Sequence, residues 1–276
     1  MTTAARRTAT AAGFTGSVPD LYDSLLVPMI FEPYAADLAG RVAALRPSRV
    51  LEIAAGTGVV TRAMASALPA GVELVATDLS QAMLDRAAAV GTSRPVLWRQ
   101  ADGTKLPFGD RSFDVVACQF GVMFFPDKVH AFSELRRVLR PGGSLVFNTW
   151  DRLEANEFAD TVTQALARHF PSDPPRFMAR TPHGYFDPSA IRADLAGAGF
   201  KASPSVETRA ERSRAPEASV AAVAYCQGTP MRGEIEARAG GSLADATVAC
   251  SAAIAARFGG GPIEGLIQAH VVTARG

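Results

Sequence analysis

Residues Val50–Val60, "VLEIAAGTGVV", decide how the rest of the chain is read. An apolar run carrying one acid, Glu52, ends on two alanines and enters a Gly-Thr-Gly turn, after which "VVTRAMASAL" takes up helical spacing. Strand, glycine loop and helix N-terminus thus follow one another. Backbone N–H groups and aligned peptide dipoles at such a helix start form a site for an anionic or polar ligand group. The identity of that ligand has to come from elsewhere in the chain.

Working outward, the pattern alternates between apolar runs and amphipathic segments. Strand "RVLEIAA" is followed by a helix over 59–68, strand "VELVATD", a helix over 81–89, strand "VLWRQAD", strand "FDVVACQF", a helix over 128–139 and strand "SLVFNTW". Such alternation implies a parallel sheet covered on both faces, and right-handed crossovers make it an open, doubly wound sheet. Ahead of it, "FTGSVPDLYDSLLVPMIFEPYAADLAGRVAAL" has helical spacing that Pro19, Pro28 and Pro33 should break into short helices, a cap outside the sheet. Beyond Trp150, the residues predict a helix in "EANEFADTVTQALARHF", a Pro-rich loop "PSDPPRFMARTPHGYFDP" and a short helix in "PSAIRADLAGAGF". An edge strand in "KASPSVETRAE", two Ala-rich helices near 216–227 and 242–257, and a closing strand "IEGLIQAHVVTAR" complete the chain.

At 276 residues with 48% hydrophobic content, one large α/β domain with insertions is the simplest organisation. The division expected is a disordered tail over 1–12, a helical cap over 13–46 and one domain over 47–276 with lid insertions at about 155–187 and 212–260. With 28 basic and 27 acidic residues the net charge is +1, which leaves no electrostatic footprint for nucleic acid. Cys118, Cys226 and Cys250 are too far apart in sequence for a C-x-x-C pair, so reduced thiols and a cytoplasmic location are expected. No apolar run approaches the ~20 residues that span a bilayer. No His/Cys/carboxylate set has metal-ligand spacing, so no metal is expected.

The loop narrows the ligand. A dinucleotide fingerprint wants a third glycine where this chain has Thr61. Asp78 ends the second strand twenty positions after Gly58, where a carboxylate can accept from both hydroxyls of a ribose; NAD and other adenosine ligands suit it equally. Asp102 follows the third strand and adds a second acceptor for an exocyclic amine. At this point the set "VLEIAAGTG", "ATDLSQAML", "ADGTKLPF", "FDVVACQFGVMFFPD" and "LRRVLRPGGSLVF" resembles, in order and spacing, the class I S-adenosylmethionine-dependent methyltransferases. Within them it is most similar to the small-molecule branch that includes the ubiquinone and menaquinone C-methyltransferases.

The resemblance implies a seven-stranded Rossmann-like sheet whose last strand, about 265–274, inserts antiparallel, with the acceptor pocket formed by helices near the N-terminus and between the last two strands. It also implies roles. Ala54, Gly56 and Gly58 would line the methionine part of S-adenosyl-L-methionine, with Glu52 at its amino group. Asp78 would hold the ribose, Leu79 and Met83 the adenine, and Asp102 with Gly103 its amine, while Gln119 and Phe120 face the reacting methyl. Tyr22, His183 and Tyr185 are the expected catalytic groups; Tyr34, His130, His169 and Asp187 are further polar candidates. The expected reaction is methyl transfer to an O, N or C atom of a small, largely apolar or aromatic acceptor, with a homodimer as the one assembly considered. A relative that binds the cofactor without methylating, and an NAD-type oxidoreductase, are the alternatives.

Overall fold

Apolar residues of alternating orientation draw seven strands into one sheet in this computed structural model, which describes Gly16 and residues 18–238 and 240–276. The expected tail over 1–12 and Phe14 lie outside the described residues. The strands are β1 (Arg49–Ile53), β2 (Glu73–Asp78), β3 (Leu97–Gln100), β4 (Phe113–Gln119), β5 (Leu139–Trp150), β6 (Ser205–Ala215) and β7 (Ile263–Arg275). Their order is β3-β2-β1-β4-β5-β7-β6. The first five pair in parallel, and β7 runs antiparallel between β5 and β6. Successive strands are therefore added outward in opposite directions from the β1–β4 boundary, while the strands there stay parallel. In open α/β sheets the crevice at the strand ends beside that switch is where ligands bind.

Helices cover both faces. On one, α2 (Glu32–Ala44) presents Ala35, Leu38, Ala39 and Val42 to α3 (Val59–Ala67) and to Val50, Val115 and Val146 of the sheet. On the other, α5 (Lys128–Val138) and α8 (Pro188–Gly197) bury Phe132, Leu135, Ile191 and Leu195 against Leu51, Val116 and Phe147. A helix α4 (Gln81–Val90), capped by Ser80, follows β2. A third cluster lies beyond the strand ends. It joins the N-terminal segment to α6 (Glu157–His169), α7 (Phe177–Arg180), α9 (Ala218–Gln227), α10 (Met231–Glu236) and α11 (Leu243–Phe258).

The N-terminal segment departs from expectation. Its prolines do not break it: α1 (Val18–Leu21) runs into a ten-residue π-helix, Tyr22–Phe31, and directly on into α2. Glu32 N–H donates to Val27 O, an i→i−5 bond, and this wider turn leaves room for the exposed Pro28. Pro33 sits in the first turn of α2, where its missing N–H is not needed. Asp23 pins the segment down through Arg62 of α3 at 3.6 Å and Arg86 of α4 at 2.9 Å. The short α7 and α10 were not anticipated either. Each is too brief for a periodic signal, and α7 sits inside a Pro-rich run.

β6 is an edge strand, as expected, and its edge carries charge. Arg209 pairs with Asp37 at 2.9 Å and Arg214 with Glu264 at 2.7 Å, which discourages pairing with another strand.

Candidate functional site

The glycine loop closes over the carboxyl ends of β1 and β2. Ala54, Gly56 and Gly58 all take the left-handed conformation, at φ 52°, 57° and 84°. For Ala54 this is strained, and its methyl is accommodated because Gly121 has none: a Cβ built there would stand 2.5 Å from Ala54 Cβ. Asp78 ties the loop down, Oδ2 accepting from Gly56 N and Oδ1 from Ser80 N, each at 2.8 Å. Burial raises the Asp78 pKa even so, the backbone N–H groups opposing the rise.

Glu52 points into a small cavity of about 260 Å³ that the loop shares with Gln119, Tyr22 and Phe31. Its Oε2 accepts from Thr61 Oγ1 at 2.5 Å. Thr61, which stands where a dinucleotide loop has glycine, thus supports the buried acid. Desolvation pushes Glu52 up to about 8, against the Thr61 bond and reinforced by Asp78. In the same cavity Thr57 Oγ1 is buried without a hydrogen-bond partner among the described residues. A buried carboxyl with no ion-pair partner among the described residues and an orphaned hydroxyl beside a glycine cradle suit the charged end of an amino acid.

The other expected binding residues lie along the same rim. Asp78 and Asp102 sit at the ends of neighbouring strands, joined by Ala101 N–H to Asp78 O at 3.0 Å. Asp102 Oδ1 accepts from Thr104 N at 2.8 Å and Thr104 Oγ1 at 2.7 Å. Gly103 lets the Phe125 ring come close, since a Cβ would lie 3.0 Å from it. Leu79 is exposed and Met83 buried. Gln119 donates to Phe31 O at 3.2 Å and accepts from Asn148 Nδ2 at 3.3 Å, which ties the π-helix to the sheet. Phe120, at φ 49°, is held there by its N–H donating to Asn148 Oδ1 at 3.0 Å.

A second cavity, of about 610 Å³, adjoins the first, and Tyr22 and Phe31 line both. The Phe120 and Trp150 rings stack in it at 3.7 Å and 5°. Tyr22 stacks on Phe31 at 4.9 Å and stands 3.9 Å from where a Cβ on Gly56 would be. Burial and the charges of Asp78 and Asp23 raise the Tyr22 pKa, so its phenol keeps its proton. His183 also lines this cavity, with Nδ1 2.8 Å from Asp151 O. Only a protonated Nδ1 can bond a carbonyl, and burial lowers the His183 pKa to about 4, so Nε2 is a neutral acceptor. The Asp151 carboxylate is held in turn by Gln268 Nε2 at 2.6 Å and Arg152 N at 2.7 Å.

The remaining polar candidates are placed elsewhere. Tyr185 does not line the cavity: its hydroxyl donates to Asp194 at 2.8 Å, with Lys128 over its ring at 5.0 Å. Tyr34 donates to the carbonyls of Arg209 and Ile267, and packs edge-on against Phe120 and Trp150. Asp187 is the N-cap of α8, and His130 and His169 are exposed. Sequence reasoning missed Thr57, Asn148 and Trp150. Asn148 left one signal, a polar residue inside the apolar run "SLVFNTW". Among the described residues no group of three or more His, Cys, Asp or Glu is arranged to hold a metal, and no helix is long and apolar enough to cross a membrane.

Comparison with known proteins names this architecture. A family described as "Methyltransferase domain" matches residues 51–147. The ubiquinone/menaquinone biosynthesis C-methyltransferase UbiE of Ectopseudomonas mendocina is 32% identical over 187 residues, which cover 62% of this chain and 71% of that protein. The demethylmenaquinone methyltransferase of Mycobacterium sp. (strain KMS) is 38% identical over 152 residues, 54% of this chain and 63% of that protein. The fold is shared with the YcgJ protein of Bacillus subtilis, at TM-score 0.55 and 18% identity over 88% of this chain and 98% of that one. It is shared also with an S-adenosylmethionine-dependent methyltransferase of Thermotoga maritima, at TM-score 0.52 and 14% identity over 97% and 98%. These matches favour neither the oxidoreductase nor the non-methylating alternative: the chain belongs to the class I S-adenosylmethionine-dependent methyltransferases that act on small molecules, and S-adenosyl-L-methionine is its cofactor.

Proposed function

We propose that this enzyme methylates a flat, largely apolar ring that carries a hydroxyl group, of the hydroquinone or phenol class. The observation that carries the reading is the aromatic cavity of Phe31, Phe120 and Trp150, which shares a wall with the glycine-loop cavity and offers the His183 acceptor nitrogen. The names of the quinone-pathway relatives support the same class.

When bound, S-adenosyl-L-methionine supplies an electrophilic methyl group on a sulfonium. Glu52, Thr57, Ala54, Gly56 and Gly58 hold its amino-acid end, Asp78 the ribose, Leu79 and Met83 the adenine, and Asp102 with Gly103 the adenine amine. Gln119 and Phe120 lie beside the reacting centre, and the aromatic walls exclude water from it. His183 Nε2 accepts a hydrogen bond from the ring hydroxyl, which orients the acceptor and makes the ring richer in electrons. With its pKa lowered to about 4, His183 works first as a hydrogen-bond acceptor and only weakly as a base. Residues 18–46 and the described residues of the insertions at 155–187 and 212–260 form the lid over both ligands. Three buried free cysteines support a reducing, cytoplasmic setting, and the balanced charge supports a small-molecule partner rather than a nucleic acid.

Labelled cofactor tested against phenols, hydroquinones, amines and carboxylic acids, with products read by mass spectrometry, checks this. The expected product is a methylated hydroxy-aromatic ring. Methylation of aliphatic amines alone would overturn the reading.

A further inference from the structure

The polar groups that line the larger cavity can be accounted for one by one. Asn156 is spent on the backbone: Nδ2 donates to Arg152 O at 3.1 Å and Gln268 O at 3.3 Å, and Oδ1 accepts from Gln268 N at 3.1 Å. The Thr229 hydroxyl donates to Tyr225 O at 2.7 Å and accepts from Met231 N at 3.1 Å. Tyr22 lies toward the glycine loop. His183 uses Nδ1 on Asp151 and leaves Nε2 to the cavity. Tyr225 is different. It sits on the Ala-rich α9, only 4% exposed, and its hydroxyl makes no hydrogen bond among the described residues.

A hydroxyl that makes no hydrogen bond within the described residues, on a side chain that lines the cavity, is free to bond a polar group that enters it. Burial alone raises the Tyr225 pKa, so the group stays protonated and can donate as well as accept. Phenylalanine would fill the same space without that group. The residue comes from the insertion between β6 and β7, while His183 comes from the loop before α8, so the two open polar groups reach the cavity from separate segments.

We infer that Tyr225 is a specificity-determining residue whose hydroxyl meets a second polar group on the acceptor, so that the preferred substrate is a ring with two separate oxygen functions. One is the hydroxyl that donates to His183; the other, a hydroxyl or carbonyl, meets Tyr225. This rests on the hydroxy-aromatic reading above, and it adds a requirement that reading does not contain.

The test is calorimetric, under argon, with the protein saturated in S-adenosylhomocysteine. Naphthol is compared with a set of dihydroxynaphthalene isomers, in the unmodified protein and in Tyr225→Phe, whose fold is checked by thermal melting. At least one isomer should bind the unmodified protein about five- to tenfold more tightly than naphthol, the gain of one hydrogen bond in a buried site. Tyr225→Phe should erase that gain and leave naphthol binding unchanged. If naphthol binds but no isomer gains, or if the gain survives in Tyr225→Phe, the inference is overturned while the hydroxy-aromatic reading stands. If neither naphthol nor any isomer binds, that reading falls and this inference falls with it.

Discussion

The two halves of the site are built on opposite principles. The glycine-loop half is polar and held by backbone: Asp78 grips Gly56 and Ser80, Asp102 grips Thr104, and Glu52 is propped by Thr61. The acceptor half is aromatic and held by packing, with Phe120 on Trp150, Tyr34 edge-on to both, and Ala-rich helices behind. Hydrogen-bonded geometry suits a ligand that never changes, because it fixes donors and acceptors in place. Packed aromatic surface fixes shape and apolarity, and a few side-chain changes can reshape it. On the function proposed above, the glycine-loop half takes the cofactor and the aromatic half the acceptor.

Trp150→Ala should have the largest effect. Removing a buried ring that stacks on Phe120 should destabilise the fold by about 3–5 kcal/mol and abolish acceptor binding. Cofactor affinity, measured by calorimetry below the melting temperature, should stay nearly unchanged. If both ligands are lost equally, the two halves are not separate. The mirror experiment is Asp78→Ala, which should weaken cofactor binding by about 1.5–3 kcal/mol by removing the charged anchor of the loop. An unchanged cofactor dissociation constant in the folded variant would remove Asp78 from the site.

Acid–base behaviour sharpens the contrast further. Glu52 is raised in the folded chain to about 8 from an ordinary 4.5, so the native state holds a proton that the unfolded chain loses, and its contribution falls as pH rises between those values. His183 is lowered to about 4 from 6.5, so the unfolded chain holds the extra proton, and its contribution rises with pH over that window. The two oppose each other up to about pH 6.5, and Glu52 acts without that opposition from there to about pH 8. In the cofactor-free protein, stability from denaturant melts should therefore fall by roughly 1 kcal/mol per pH unit in that upper window. Glu52→Gln should flatten the fall. A slope unaffected by the substitution would show that Glu52 is not its origin.

The smallest effect is expected at Tyr185→Phe. Its hydroxyl serves Asp194 rather than the cavity, so the loss should be about 0.5–1.5 kcal/mol of stability with turnover nearly intact. A large fall in turnover at unchanged stability would restore Tyr185 to the acceptor half.

The same contrast explains what the sequence made legible. Strand ends, glycines and the acids Asp78 and Asp102 are local features, spaced along the chain by the alternation that builds the sheet. Reading the alternation therefore locates them. The acceptor wall is assembled from residues as far apart as Phe31, Trp150, His183 and Tyr225, and nothing local brings them together. His183 and Tyr185 look equivalent in "TPHGYFD", yet they part because the chain turns between them and Asp194 lies within reach of only one. Pro28 misled for another reason: helical punctuation presumes α geometry, and this segment winds as a π-helix.

Tyr22 and Phe31 border both cavities, and that shared boundary has a thermodynamic consequence. A ligand that sets the position of these two rings on one side sets the shape offered on the other. Binding free energies around such a closed cycle must balance, so whatever factor the acceptor imposes on donor affinity, the donor imposes on acceptor affinity. The π-helix carries both rings, and Gln119 fastens its end to the sheet through Phe31 O. Reciprocity between the two ligands is therefore written into one helical segment, and loosening that tether should reduce both directions of the coupling by the same amount.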